Sequence, residues 1–274
     1  MNGERSASIM NGQCVPILVY HHVYLEETRE LTGSTLETGA GIIGEAEFRR
    51  QIQYIADEDW DVVSTTQVVD WLTEGATLQE KVVALHFDNG WLDTAIVALP
   101  ILREFGMIAT CFPITEGVEA SSESRSIPVR TLTEGVIKKP FMTWDQAQEL
   151  LDAGWEIGAH TATHCRVAEK HAAEGDEGVV WEVETSNDMF KKRLGFVPDH
   201  FAYPSGSRND RTDTLLSSYY RSLRLWHFEL PIRWMFTDNN TSNNTSRLAL
   251  DYQNIDLRVP FDDFKRLFNE ALAT

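Results

Sequence analysis

The chain has 274 residues, 42% of them hydrophobic and 10% aromatic, enough to bury a substantial core in one large α/β domain or two small ones. Twenty-four basic against 42 acidic residues give a formal net charge of −18, which argues against a nucleic-acid or anionic-membrane partner and suits a neutral or cationic one. Cys14, Cys111 and Cys165 are too few and too scattered for a disulfide framework or a cysteine-based zinc site.

The opening "MNGERSASIMNGQ" has no apolar signal-peptide core, and no run of about 18 apolar residues follows anywhere. The expectation is an N-terminal tail over 1–13 and one domain over 14–274. It is a cytoplasmic protein without a membrane span, or a secreted one if the chain is a trimmed form. Oligomeric state is not legible.

In chain order, "CVPILVY" (14–20) reads as a strand, and "EAEFRRQIQYIADE" (45–58) has helical spacing at Phe48, Ile52 and Ile55. "DVVS" is a short strand, after which Ser64 and Gln67 form a capping box opening the next helix. A buried strand over 81–87 leads to a helix in "WLDTAIVALPILREF", which carries Pro100 and closes near Gly106. "MIATCFP" is the next strand. Thr143 with Gln146 caps a helix in "WDQAQELLDAG", followed by the strand "WEIGA" and a long helix over 177–194. "HFAYP", a helix near 211–220 and "RSLRLW" continue the alternation. Residues 24–44, 114–139 and 237–246 read as long loops. Repeated β-then-α units imply a parallel sheet or barrel whose functional loops gather at the strands' carboxyl ends.

Four polar stretches sit at such ends. In "LHFDNGWLDT" (85–94), Asp88 and Asn89 follow an apolar strand, although Asn-Gly also forms plain turns. "EIGAHTATHCRV" (156–167) sets His160 and His164 four apart, so in a helical turn both imidazoles leave one face and can share a cation; surface or core histidines show the same spacing. In "FAYPSGSRND" (201–210), Pro204 and Gly206 make either an ordinary turn or one that aims a peptide N–H at a developing oxyanion. In "PILVYHHV" (16–23), strand alternation lets at most one of His21 and His22 face the site, where an imidazole suits a general acid. "GAGIIG" (39–44) matches a dinucleotide pattern, but the apolar strand that its phosphate-binding geometry needs does not precede it.

These four stretches, in this order, resemble the polysaccharide deacetylase family, the NodB-like carbohydrate esterases. The family's motifs read T-F-D-D-G, H-[ST]-x-x-H and a third ending in P-x-G. The nearest branch has an N-terminal "YHxV" strand and includes deacetylases of biofilm poly-N-acetylglucosamine; the motifs cover about residues 14 to 206. The resemblance implies a distorted (β/α) barrel and a metal-dependent amidohydrolase that removes the N-acetyl group of an N-acetylated sugar or glycan. Asp88 then corresponds to the general base, His21 to the general acid, the Ser205 N–H to the oxyanion donor, and Asn89, His160 and His164 to the metal ligands. The cofactor implied is a divalent ion, zinc or else cobalt or nickel, and the partner is a carbohydrate.

The chain departs from the pattern at three points. Ala202 stands where many members have an arginine paired with the base. No C-terminal Leu-x-His motif is present, with His227 a weak substitute. Asn89 replaces an aspartate ligand with a neutral amide, so the cation would be held more weakly. Two alternatives follow: a metal-independent hydrolase of a small cyclic amide, and a catalytically silent carbohydrate-binding pseudoenzyme. His86, where the family often has threonine, faces the same side as Asp88 but deeper.

Overall fold

A computed structural model of the protein describes residues 13–25, 41–132, 135–227, 237–238 and 247–273. In chain order the elements are β1 (Cys14–Val15), β2 (Ile17–Tyr20), β3 (His22–Tyr24), β4 (Ile42–Gly44), α1 (Glu45–Asp57), β5 (Asp61–Val62) and α2 (Thr65–Thr73). Next come β6 (Val82–Asn89), α3 (Leu99–Glu104), β7 (Thr110–Pro113), α4 (Thr115–Ser122), β8 (Val129–Thr131), β9 (Gly135–Ile137) and α5 (Trp144–Asp152). The chain finishes with β10 (Glu156–Ile157), α6 (Val167–Leu194), β11 (His200–Ala202), α7 (Asp210–Leu216), β12 (Ser222–Arg224), β13 (Thr237–Asp238), β14 (Gln253–Asn254) and α8 (Phe261–Ala273).

The fold is α/β. Strands pair in the order β10-β7-β6-β2-β14, all in parallel, with β5 joining the start of β6. Strands β11 and β12 form a separate parallel pair. Parallel bridges Ala159↔Phe201 and Arg224↔Leu250 link the end of β10 to β11 and the end of β12 to the segment entering β14. All eight residues of β6 are buried, because neighbours flank it and helices cover the sheet; this explains its continuous apolar run. Phe48, Ile52 and Ile55 of α1 pack in the same core as Leu85 and Phe87.

Both capping boxes form as expected, at Ser64 with Gln67 and at Thr143 with Gln146. Other expectations need correction. The helix expected after β6 is a π-helical turn over Thr94–Ala98 running into α3. Pro100 sits in the first turn of α3, where its missing N–H costs little. The stretch 114–139 is not one long loop. It holds α4 and the antiparallel β8–β9 pair, whose Val129 and Ile137, with Ile127 just before them, pack with Trp91, Ile114 and Phe141. Helix α6 starts ten residues earlier than expected and is broken at Gly175 (φ 69°). Within "GAGIIG", Ile42–Gly44 is a strand parallel to β3 rather than a phosphate loop. Most of the expected loops 24–44 and 237–246, and the tail up to residue 12, lie outside the described residues. Among the described residues no helix is long and apolar enough to cross a membrane.

Candidate active site

Strand β6 runs two residues further than its apolar pattern, so Asp88 and Asn89 are its last residues rather than the loop beyond it. Adjacent strand residues ordinarily face opposite sides, yet both line one cavity. The reason is the backbone: Asn89 has φ 75° and Gly90 φ 75°. Asparagine tolerates this left-handed conformation. Gly90 is required, since a Cβ there would stand 2.6 Å from Pro113 Cβ. The stretch is thus both a turn and a site.

His160 and His164 also line the cavity, with ring centroids 5.1 Å apart, but not by way of a helical turn. The segment between β10 and α6 is irregular, and Thr161 (φ 64°) and His164 (φ 63°) are left-handed. Glu182 on α6, itself buried, holds this loop by accepting from the Ala162 and Thr163 N–H groups (3.1 and 3.0 Å) and the Thr163 hydroxyl (2.7 Å). His160 Nδ1–H donates to the Ala202 carbonyl at 2.8 Å, and His164 Nδ1–H to the Arg130 carbonyl at 2.7 Å. A carbonyl only accepts, so each ring carries its proton on Nδ1 and leaves the Nε2 lone pair for a ligand. Burial lowers both imidazoles below 6.5, His160 to about 3 despite Asp88 nearby, so both are neutral donors.

Ser205 lines the cavity from the turn after β11. It has φ 53°, and the turn is closed by the Gly206 and Ser207 N–H groups (3.1 and 3.2 Å), so the Ser205 N–H takes no part in closing it. Gly206 is forced: a Cβ there would come within 1.7 Å of the Trp226 carbonyl oxygen. Both His21 and His22 line the cavity, contrary to the alternation argument. His21 falls in a break between β2 and β3, where alternation does not carry across. His21 Nε2 lies 3.8 Å from Asp88 Oδ2. Burial lowers its pKa to about 4, with Arg224 and His22 also lowering it and Asp88 opposing. His22 stacks on Trp91 (4.8 Å) and bonds Asp93 through Nδ1 (2.7 Å) and Lys139 through Nε2 (3.2 Å). His227 is exposed, and its N–H and carbonyl bond the Tyr252 hydroxyl; it does not line the cavity.

Arg224 is a candidate-site residue that the motifs miss. It is 1% exposed, donates through Nη2 to Asp88 Oδ1 and through Nη1 to the Leu225 carbonyl (3.1 Å), and lies over the Phe112 ring at 5.2 Å. Its register partner on the neighbouring strand is Ala202. The arginine absent from position 202 is therefore replaced from one strand over. Burial alone would raise the Asp88 pKa, but Arg224, His160 and His21 more than offset it and hold the carboxyl at about 2. The sequence signal was a lone cation inside the apolar strand "SLRLW".

Asn89 Oδ1 is buried and has no hydrogen-bond partner among the described residues. Together with two Nε2 lone pairs on rings lining the same cavity, this orphaned oxygen makes a three-donor set that fits a divalent cation, all of it neutral. Among the described residues no three His, Cys, Asp or Glu side chains form such a group, because the third donor here is an amide.

The chain is similar to known proteins in sequence and fold. Bacillus subtilis (strain 168) YxkH is 22% identical over 198 residues, 72% of this chain and 59% of that protein. The poly-beta-1,6-N-acetyl-D-glucosamine N-deacetylase of Escherichia coli (strain K12) is 28% identical over 114 residues, 41% of this chain and 16% of that one. The chain thus spans less than two thirds of either curated relative. The Streptococcus pyogenes deacetylase PplD, solved in complex with acetate, superposes with a TM-score of 0.73 at 23% identity, covering 94% of this chain and 99% of that one, a likeness of fold. The polysaccharide deacetylase family model matches residues 75–221, more than half of the sequence, and the chain belongs to that family.

Proposed function

We propose that the protein is a metal-dependent N-deacetylase of an N-acetylated sugar or glycan, releasing acetate. The observation that carries this reading is the convergence of Asp88, Asn89, His160, His164, Ser205 and His21 on one cavity. The parallel pairings and the two bridges follow one another in a ring, which supports a distorted (β/α) barrel with this cavity at its mouth.

Asn89, His160 and His164 would hold the ion, which when bound acidifies a water and polarises the acyl carbonyl. Asp88 is held ionised by Arg224 on Oδ1, so Oδ2 is the atom that takes the water's proton as it attacks. A carboxylate with a pKa of about 2 is a weak base, suited to a water already acidified. The Ser205 N–H donates to the carbonyl oxygen as it becomes negative. His21 is neutral before turnover, so the proton it delivers to the departing amine is the one Asp88 removed, passed from Oδ2 to Nε2. Trp91 and Trp226 give the cavity apolar walls for the acetyl group.

The test is acetate release from β-1,4- and β-1,6-linked N-acetylglucosamine oligomers by the full chain with Zn²⁺, Co²⁺ or Ni²⁺. Release that a chelator stops is expected; no release with any of the ions overturns the reading. The uncharged donor set favours one second reading, a glycan-binding protein without turnover, which would bind the oligomers and release nothing.

A further inference from the structure

The proposed catalytic cavity is small, about 30 Å³. Beside it lies a groove of about 620 Å³ that shares Thr131, Leu132, His164 and Ser205 with it. One wall is the β8–β9 hairpin and the other the first turns of α6.

The groove's charges run against those of the whole chain. In a protein of net charge −18, Arg130, Arg166 and Lys170 line it against Glu169 and Glu174. Two of the cations are matched locally: Arg166 pairs with Glu169 at 2.7 Å and Lys170 with Glu174 at 2.9 Å. The exposed Arg130 guanidinium has no hydrogen bond or ion pair among the described residues. Its backbone is nevertheless fixed to the site, because the Arg130 carbonyl accepts from His164 Nδ1 and the residue pairs with Val136 across the hairpin. The backbone that carries the guanidinium is thus fixed one residue from Thr131 on the cavity wall.

We propose that the groove takes sugars adjoining the one in the cavity, and that Arg130 recognises an anionic group, carboxylate or phosphate, on one of them. A planar guanidinium suits either oxyanion bidentately. The identity of the sugar rests on the N-deacetylase reading; the cationic groove does not.

The test is calorimetric binding of three tetrasaccharides to the full chain and to Arg130→Gln and Arg130→Glu. One is a neutral N-acetylglucosamine tetramer, one alternates N-acetylglucosamine with glucuronic acid, and one carries a single 6-phosphate. At low salt, wild type is expected to bind a charged oligomer about fivefold more tightly than the neutral one, a preference that fades by 0.5 M salt. Arg130→Gln should bring that ratio to about 1 and Arg130→Glu below it. Preference for only one charged oligomer supports the proposal and names the group. Equal binding of all three by wild type, binding of none, or a preference that survives Arg130→Gln overturns it. Absent acetate release with the binding preference intact strikes the N-deacetylase reading and leaves the groove standing.

Discussion

Strand β6 carries two buried polar layers, and they are built differently. In the deeper one, His86 Nε2 meets the Thr65 hydroxyl (3.0 Å), which meets Thr110 (2.7 Å), which donates to Glu156 (3.3 Å). His200 bridges Thr66 (3.0 Å) and Ser222 (2.8 Å) beside it. The bonds form a nearly closed network that leaves His86 Nδ1 over, and none of these side chains lines the candidate-site cavity. One strand repeat above, Asp88 is paired to Arg224, but among the described residues Asn89 Oδ1 and His21 Nδ1 have no hydrogen-bond partner, and their residues line the cavity. Burying a polar group is costly unless it is satisfied. A closed network therefore reads as structure, and an open one around a cavity reads as a site awaiting a ligand.

Substitutions can break this contrast. Asp88→Asn should cut kcat/KM by about 10²–10⁴-fold, the usual worth of a general base, while the amide oxygen still accepts from Arg224 and the fold persists. Activity within tenfold of wild type would remove Asp88 from its role. Arg224→Met leaves the Asp88 charge buried and unpaired, and urea unfolding should show a loss of about 3–5 kcal/mol. Thr65→Val in the deeper layer should cost only about 1–3 kcal/mol and leave cation binding intact, since it breaks neutral hydrogen bonds. Equal losses would erase the distinction.

The layers also differ toward acid. Burial lowers His86, with Arg224 adding to the effect, and burial lowers His200, both below their ordinary 6.5. Each stays neutral in the fold while the unfolded chain protonates as pH falls through about 6.5. Stability is therefore lost as pH drops below that value. His86→Gln should shallow the slope of unfolding free energy against pH by up to about 1.4 kcal/mol per pH unit. An unchanged slope would remove His86 from the acid sensitivity and leave His200 as the deeper layer's contributor.

Much of this was legible in the sequence where the signal is local. Capping boxes, the helical spacing of α1 and the polar residues at strand ends need only neighbours within a few positions. What escaped depends on register between distant segments. Arg224 finds Asp88 across 136 residues, and its equivalence to position 202 exists only through the β11–β12 pairing. The HxxxH spacing suggested a helix, but Glu182 and two left-handed residues bring the rings together instead. Glu182 lies within an ordinary helical run, where no pattern marks a carboxylate that holds a loop. His22 reached the cavity because the strand breaks at His21, which apolar periodicity cannot show.

The central claim is that Asn89, His160 and His164 form a neutral cation site. Calorimetric titration of Zn²⁺ into wild type and Asn89→Asp tests it directly, because aspartate keeps the shape, tolerates the same backbone and adds one negative charge. One ion per chain in both proteins, bound at least about tenfold more tightly by Asn89→Asp, is the predicted result. No saturable binding by wild type, or the same affinity in both proteins, would contradict it.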